Sequence, residues 1–446
     1  MSKETNKEFT FKKYAWQQFK ANKPGLFSMY ILIILIVVAI FSPIIANQQP
    51  LYVKYAGNTY FPAFKNIINE SFSDSVVNPG TGVKEELVFN RTDWRTLELE
   101  SVIWPLIPYS ADQYDRYARD YVAPSDQQTY KSSEGMKDSP WILRHHLGTD
   151  ALGRDVASGL IHGTKISLMV GVISMGIASI IGVLLGAFAG YFGDTGLRIT
   201  RVRKWMIFLG LFLGFYYGFL IRSNVFSESF NKGIAAGLGS FAFSILIFSF
   251  YLTVFNIVGR SLKLKGYLGR LIPIKVDSYV SRGIEVLNSL PNLLLIITVA
   301  AIMKERSLGV LMVIIGATSW TGIARFTRAE FMRLREMEFI QAAKALGYSN
   351  KRIIFKHGLP NGLSAVFVSI AFGVASAILT ESSLSFLGIG VPDDVVTWGS
   401  LLSLGKEEFE AWWLVLYPGL AIFITITIYN LIGEGLRDAL DPKLKR

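Results

Sequence analysis

Long apolar runs alternate with short basic segments along this chain, and the lengths of the runs set the first expectations. A helix crossing a bilayer needs about 20 apolar residues, because the hydrocarbon is about 30 Å thick and each residue rises about 1.5 Å. Eight runs qualify: 26–46, 166–192, 205–221, 233–258, 286–303, 307–324, 362–380 and 411–433. The first follows Lys12, Lys13, Lys20 and Lys23, a leader that a secretory signal could share. Its run exceeds the roughly 7–15 residues of a signal's apolar centre, so it is read as a retained anchor. The second run carries Gly182, Gly186 and Gly190, a four-residue spacing that lets another helix approach closely.

The polar stretch between the sixth and seventh runs has a different period. Met337, Ile340, Ala343 and Leu346 recur every three residues, which predicts a short helix outside the bilayer from Glu336 to Leu346. Glu336 and Glu338 suit its first turn and Lys344 its last, as the helix dipole favours. Gly347 supplies the residue that ends it in a left-handed conformation. A second short helix is expected over Asn350–Lys356, with Pro360 opening the next membrane helix. Ala342 and Ala343 should leave the backbone open to close contact. Periodicity alone leaves two occupants open, a groove on a partner protein or the lipid headgroups.

Composition and charge sharpen the picture. With 446 residues, 51% of them hydrophobic, and mean hydropathy +0.37, the chain is too apolar for an ordinary soluble protein. The net charge of +11 raises nucleic acid as a partner, but 28 of the 45 Lys and Arg fall in segments 1–25, 193–204, 259–285, 325–361 and 434–446. That distribution is the positive-inside pattern and places both termini in the cytoplasm. Residues 47–159 carry 11 basic and 15 acidic side chains, consistent with an outer location.

The expected fold class is an all-α polytopic membrane protein with eight transmembrane helices and a small mixed extracytoplasmic domain. Its expected divisions are a cytoplasmic segment 1–25, a first helix 26–46 and an outer domain 47–160. A second helix 161–196, a helical pair 197–278 and a final block 279–446 with the cytoplasmic loop 325–361 complete them. Turn-rich stretches such as "NPGTG" and "WPLIPYS" predict short strands and loops in the outer domain. The pair within 197–278 has almost no polar residues at mid-span and is expected at the periphery.

Candidate chemistry is sparse. The absence of cysteine excludes disulfides, thiolate metal sites and Cys nucleophiles. His145 and His146 are adjacent, so on a strand their side chains point apart, and no third ligand stands in register. Asp112–Asp120 reads as a solvated face. No Gly-Lys-Ser or Gly-Lys-Thr is present, so a phosphate-cradling loop is missing and any nucleotide site must lie on another polypeptide. Among ionisable residues only Glu381, just past the outer end of its expected helix, approaches the membrane interior. That scarcity opposes ion-coupled transport and intramembrane proteolysis. Asn288, Asn292, Ser369 and Ser376, with Glu381, are the candidates for lining a path. No catalytic, metal-binding or cofactor-binding residue is expected.

Ala342-Ala343, Gly347 four residues on, and Leu359-Pro360 resemble the EAA signature of permease subunits in ATP-binding-cassette (ABC) importers. Gln341 stands where that signature has Glu, and His357 where it has Ile, although "HGLPN" is similar to the peptide branch. "HLGTDALGRDVASGLIHGTKISLMVG", "ESSLSFLGIGVP", "TWGSLL" and "GEGLRDALDPK" resemble the C-type subunit of oligopeptide, dipeptide and nickel permeases. "ANQQPLYVKYAGNTYFPAFKN" and "WPLIPYS" resemble the Yej-type branch, associated with peptide-like antibiotics. The likeness implies a six-helix permease core, to which 197–278 adds a pair. It implies that Glu338, Ile340, Gln341, Ala342, Ala343, Leu346, Gly347, Leu359 and Pro360 form the coupling loop inserted into an ATPase subunit. Implied partners are a homologous permease, two ABC ATPase subunits, an extracytoplasmic solute-binding protein, membrane lipid and a peptide substrate, in a bacterial inner membrane, with no cofactor and no nucleic acid. Rival readings are a non-transporting scaffold or receptor with a ligand-binding outer domain, and an ion-coupled transporter.

Overall fold

Backbone in hydrocarbon must satisfy its own polar groups, so the apolar runs become long helices. The computed structural model describes residues 11–68, 72–77, 84–132, 135–302, 307–392 and 394–440. The stretch "NPGTG", the expected span end at Met303 and the outermost parts of both terminal segments lie outside them. Two compact units result: residues 1–28, 170–380 and 427–446 make the first, and 29–169 with 381–426 the second.

The first unit begins with α1 (Phe11–Ala21) and the start of α2 (Lys23–Ile45). Asn22 caps α2, its side-chain oxygen accepting from Gly25 N–H at 2.9 Å while its amide donates to Asp438 at 3.2 Å. Most of α4 (Val156–Phe192) follows, then β8 (Arg198–Thr200), α5 (Arg201–Phe215), α6 (Ser223–Asn231), α7 (Ile234–Ser261) and β9 (Leu271–Pro273). Strands β8 and β9 pair antiparallel, and Ile274 N–H donates to the Leu197 carbonyl at 2.8 Å, so the segment between them leaves and rejoins the chain at one point. Next come α8 (Val276–Ser289), α9 (Asn292–Ile302), α10 (Leu308–Thr318), α11 (Trp320–Leu334), α12 (Glu338–Ala345), α13 (Asn350–Arg352) and α14 (Leu359–Phe386).

Gly182, Gly186 and Gly190 of α4 face α11. A Cβ at Gly186 would stand 2.5 Å from the Ala324 carbonyl oxygen, and one at Gly190 would meet the Arg328 carbonyl. The expected close-packing stripe therefore has a named partner helix.

The second unit holds a three-stranded antiparallel sheet and two hairpins. The sheet has order β2-β1-β5, from β1 (Tyr52–Tyr55), β2 (Asn58–Tyr60) and β5 (Ser101–Ile103). The hairpins are β3 (Ser73–Val77) with β4 (Lys84–Val88), and β6 (Thr129–Ser132) with β7 (Gly135–Asp138). Helix α3 (Pro62–Ile68) completes this part. Its core is aromatic, with Tyr55, Tyr60, Phe89 and Trp94 buried beside Val53, Val76 and Leu87. Helix α15 (Trp398–Leu404) follows, opening with a reciprocal cap between Thr397 and Ser400, and then α16 (Trp413–Leu440), whose residues from Thr427 on belong to the first unit.

Among the described residues six helices are long and apolar enough to cross a membrane: α2, α4, α7, α10 with α11, the 366–386 part of α14, and α16. Two bent pairs raise the number to eight at most, α5 with α6 at 46° and α8 with α9 at 85°. The run 286–303 is thus not the straight span expected. Pro291 donates no hydrogen bond and pushes Leu290 to an extended conformation, φ −97° and ψ 136°, which separates α8 from α9. A second difference lies at 362–380, where α14 continues to Phe386 and places Glu381 inside the helix.

Candidate functional site

The stretch between α11 and α14 folds into a short helix pinned to the body of the first unit. Helix α12 begins at Glu338 with Met337 at its cap, so Glu336 falls outside the first turn where it was expected. Its end is fully specified. Gly347 adopts φ +75°, its N–H donates to the Lys344 carbonyl at 3.0 Å, and Tyr348 N–H reaches Ala343 at 3.1 Å. These two bonds make a Schellman termination, which needs a residue without a Cβ penalty at that place.

Ile340 and Ala343 turn inward onto Ala187, Tyr191, Phe331, Ile353 and Ile354, with Leu359 packed against that cluster. Ala343 was expected to offer its backbone to a partner; instead it is buried, because it shares a face with Ile340 three residues earlier. The outward strip is Phe339, Ala342 and Leu346, the last 71% exposed, with Met337 also exposed. Phe339 was missed in the sequence because it falls outside the three-residue period, which mixes the exposed Met337 and Leu346 with the buried Ile340 and Ala343.

Gln341 donates through Nε2 to the Arg335 carbonyl at 2.8 Å, closing the end of α11. A glutamate carboxylate could not donate that bond. Tyr191 Oη donates to Asn350 Oδ1 at 2.8 Å, and Lys344 lies over the Tyr191 ring, tying both sides of the glycine turn to α4. The second short helix is not separate: α13 passes through a widened π-helical turn, Ile353–Gly358, directly into α14. That turn accommodates Pro360, whose ring would clash with the carbonyl four residues back. Pro360 itself is exposed.

Helix α11 also holds other elements. Arg328 forms a two-pronged ion pair with Asp277 of α8, its Nη2 donating at 2.7 Å, and Thr321 Oγ1 donates to Asn288 at 3.1 Å. Ser369 and Ser376 of α14 share one cavity of about 540 Å3, walled by Met175, Ile323, Phe326 and Phe372, with Arg437 at its edge. Asn288 and Asn292 are exposed and do not line it. Glu381 belongs to the second unit and is fully buried, accepting a hydrogen bond from Ser385 Oγ at 2.8 Å.

The second unit carries a buried charge cluster; of the run Asp112–Asp120, read as a solvated face, Asp112, Arg116, Arg119 and Asp120 are exposed as expected, but Asp115 is buried in this cluster. His145 Nδ1 lies 2.8 Å from Asp155, and its Nε2 lies 3.6 Å from Asp115, which also faces Arg95 at 3.6 Å. Tyr109 stacks on the His145 ring at 4.0 Å. Burial opposes a charged imidazolium, but the negative charge of Asp115 3.6 Å from Nε2 and the hydrogen bond and charge of Asp155 at Nδ1 outweigh it and hold His145 above its ordinary value. Burial likewise disfavours the Asp115 carboxylate, yet His145, the Tyr117 N–H and Arg95 bring it below the usual range. His146 instead packs against Trp141. No group of three His, Cys, Asp or Glu is placed to hold a metal ion among the described residues.

Comparison with known proteins bears on this arrangement. Residues 266–446 match the family described as binding-protein-dependent transport system inner membrane component, and residues 10–63 match the N-terminal TM domain of oligopeptide transport permease C. The chain is 27% identical over 430 residues to the inner membrane ABC transporter permease protein YejE of Escherichia coli (strain K12), covering 96% of each. The peptidoglycan transport system permease protein YejE of Agrobacterium fabrum is 26% identical over 443 residues, 97% of this chain and 93% of that protein. The dipeptide transport system permease protein DppC of Alkalihalophilus pseudofirmus is 30% identical over 302 residues, 68% and 73%.

Proposed function

Because the chain belongs to the binding-protein-dependent family of inner membrane transport components, and is a permease subunit of an ABC importer for peptides, we propose that α12 is the part an ATPase subunit grips. One observation carries this reading. An apolar strip of Phe339, Ala342 and Leu346 faces outward on a helix whose other face is locked into the body by Ile340 and Ala343. A loosely held helix would move when pulled; a pinned one transmits the pull.

In this reading the force enters through α12 and passes to α11, which the glycine stripe joins to α4 and the Arg328–Asp277 pair joins to α8. Glu338, Gln341, Gly347, Leu359 and Pro360 shape and support the knob, while Leu346, Ala342 and Phe339 enter the partner's cleft. Two ATPase subunits, a homologous permease and a solute-binding protein complete the assembly. The strongly basic segments face the cytoplasm together with both termini, as the distribution of Lys and Arg favours. The strand-rich part of the second unit meets the binding protein, as the slight acidic excess of residues 47–159 favours for an extracytoplasmic segment. The cavity at Ser369 and Ser376 forms part of the path, its hydroxyls suiting the neutral amides of peptide cargo.

Replacing Leu346 by Asp tests the contact. Burying a leucine contributes about 1.5–3 kcal/mol, so ATPase copurification should fall about tenfold or more and peptide uptake with it, while membrane insertion is kept. Ala342→Glu should act alike. Normal ATPase retention in both variants would remove the docking role. Ala343 does not serve for this test, because its substitution would disrupt the knob itself.

A further inference from the structure

The helical pair inserted between β8 and β9 carries a cation, Arg222, held by two serine hydroxyls and lying 4.9 Å over the Phe243 ring. Arg222 lies at the bend between α5 and α6, at the far end of α5 from Arg201, Arg203 and Lys204. Its Nε donates to Ser244 Oγ at 2.9 Å and its Nη2 to Ser240 Oγ at 3.2 Å. Ser244 is fully buried, so the guanidinium is held in a fixed orientation. Among the described residues no carboxylate pairs with it. A cation in or beside hydrocarbon without an anion is costly, and such residues usually have a partner.

A groove of about 560 Å3 runs from Arg222 along the exposed side chains of Phe243, Leu246 and Phe250 and the half-buried Ile247. Tyr217 and Tyr251, stacked with centroids 5.3 Å apart, line it too. Gly210, Gly214 and Gly218 of this segment face α7 and are consumed in packing α5 against it, so the groove is left on the outer surface of the pair. Phe230 of α6 wedges against Gly237 of α7 and Gly309 of α10, which holds the pair in place beside the first unit's other helices.

We propose that this groove holds one anionic phospholipid, its phosphate on Arg222 and an acyl chain along Phe243, Leu246, Ile247 and Phe250. A guanidinium supplies directed donors that match phosphate oxygens, and the hydroxyls of Ser240 and Ser244 keep it aimed. A protein helix in the same place would have to carry its own carboxylate into the membrane to satisfy the arginine. The site is independent of the α12 contact and requires only that the pair be embedded in lipid.

The test uses the full chain in its assembled complex, purified and exchanged into nanodiscs of phosphatidylcholine containing a minor fraction of phosphatidylglycerol, with bound lipid read by native mass spectrometry. The unaltered protein should retain one phosphatidylglycerol. Arg222→Ala should lower that retention about tenfold, the loss expected on removing a charged hydrogen-bonding partner, and leave phosphatidylcholine unchanged. Leu246→Trp, which fills the groove and keeps the arginine, should lower it as well and guards against misfolding of the first variant. Equal retention in both variants, or glycerol 1-phosphate displacing the lipid as well as intact phosphatidylglycerol does, would overturn the proposal. So would crosslinking that places a helix of another subunit in the groove.

Discussion

At the scale of single residues, His145 shows how two carboxylates decide the state of a buried imidazole. Because the folded value is raised above the unfolded one of about 6.5, its stabilising contribution is complete below that pH and is lost as pH rises through the folded value. Asp115 behaves oppositely: its folded value is lowered, so its contribution is present above about 3.9 and lost as pH falls through the folded value. The strand-rich part of the second unit should therefore lose thermal stability as pH rises above about 6.5 and through the raised folded value of His145. His145→Gln should flatten that slope, and an unchanged slope, measured by protease resistance of the strand-rich part on heating, would contradict the assignment. Neither the ion cluster nor the burial of Asp115 was readable from Asp112–Asp120, since its partners Arg95 and His145 lie 20 and 30 residues away in the chain.

Among elements, the contact of α4 with α11 is the one that spacing announced. Three glycines at intervals of four predicted a close neighbour, and the structure identifies it as the helix leading to α12. Gly186→Val would drive a branched side chain into the Ala324 carbonyl, and overpacking of this kind costs about 1–3 kcal/mol. The variant should show a lowered melting temperature and, because α11 is displaced, impaired uptake at normal expression. Full stability and transport together would show the contact to be slack. The break between α8 and α9 was visible as Pro291 but was passed over, because hydropathy counts length and apolarity and is blind to a missing N–H. The π turn before α14 left no comparable mark; it follows from where Pro360 falls relative to the packed Ile353 and Ile354.

For the whole molecule, the inserted pair behaves as an addition clipped on at its base. Leu197 and Ile274 are joined by a hydrogen bond across the ladder, so a two-residue Asn-Gly turn could replace residues 198–273. The shortened chain should insert in the membrane and keep ATPase bound at α12, with reduced thermal stability because Phe230 no longer covers Gly309. Loss of ATPase binding in that variant would mean that the pair supports the coupling path.

The sequence by itself determined that this is a membrane-embedded chain with a glycine-stopped helix between two spans: apolar runs of bilayer length, the clustering of basic residues and the turn at Gly347 each act locally, through backbone satisfaction, charge and a left-handed conformation, and the resemblance of its motifs supplied the permease family. It could not decide which face of α12 is free, because Phe339, Leu346, Ile340 and Ala343 are all small or apolar and only the packing of Tyr191, Phe331, Ile353 and Ile354 against two of them separates inside from outside. Nor could it decide that Ser240 and Ser244 hold Arg222, or that Arg95 and His145 face Asp115. Those assignments depend on chain segments distant in sequence meeting in space, which the tertiary structure alone supplies.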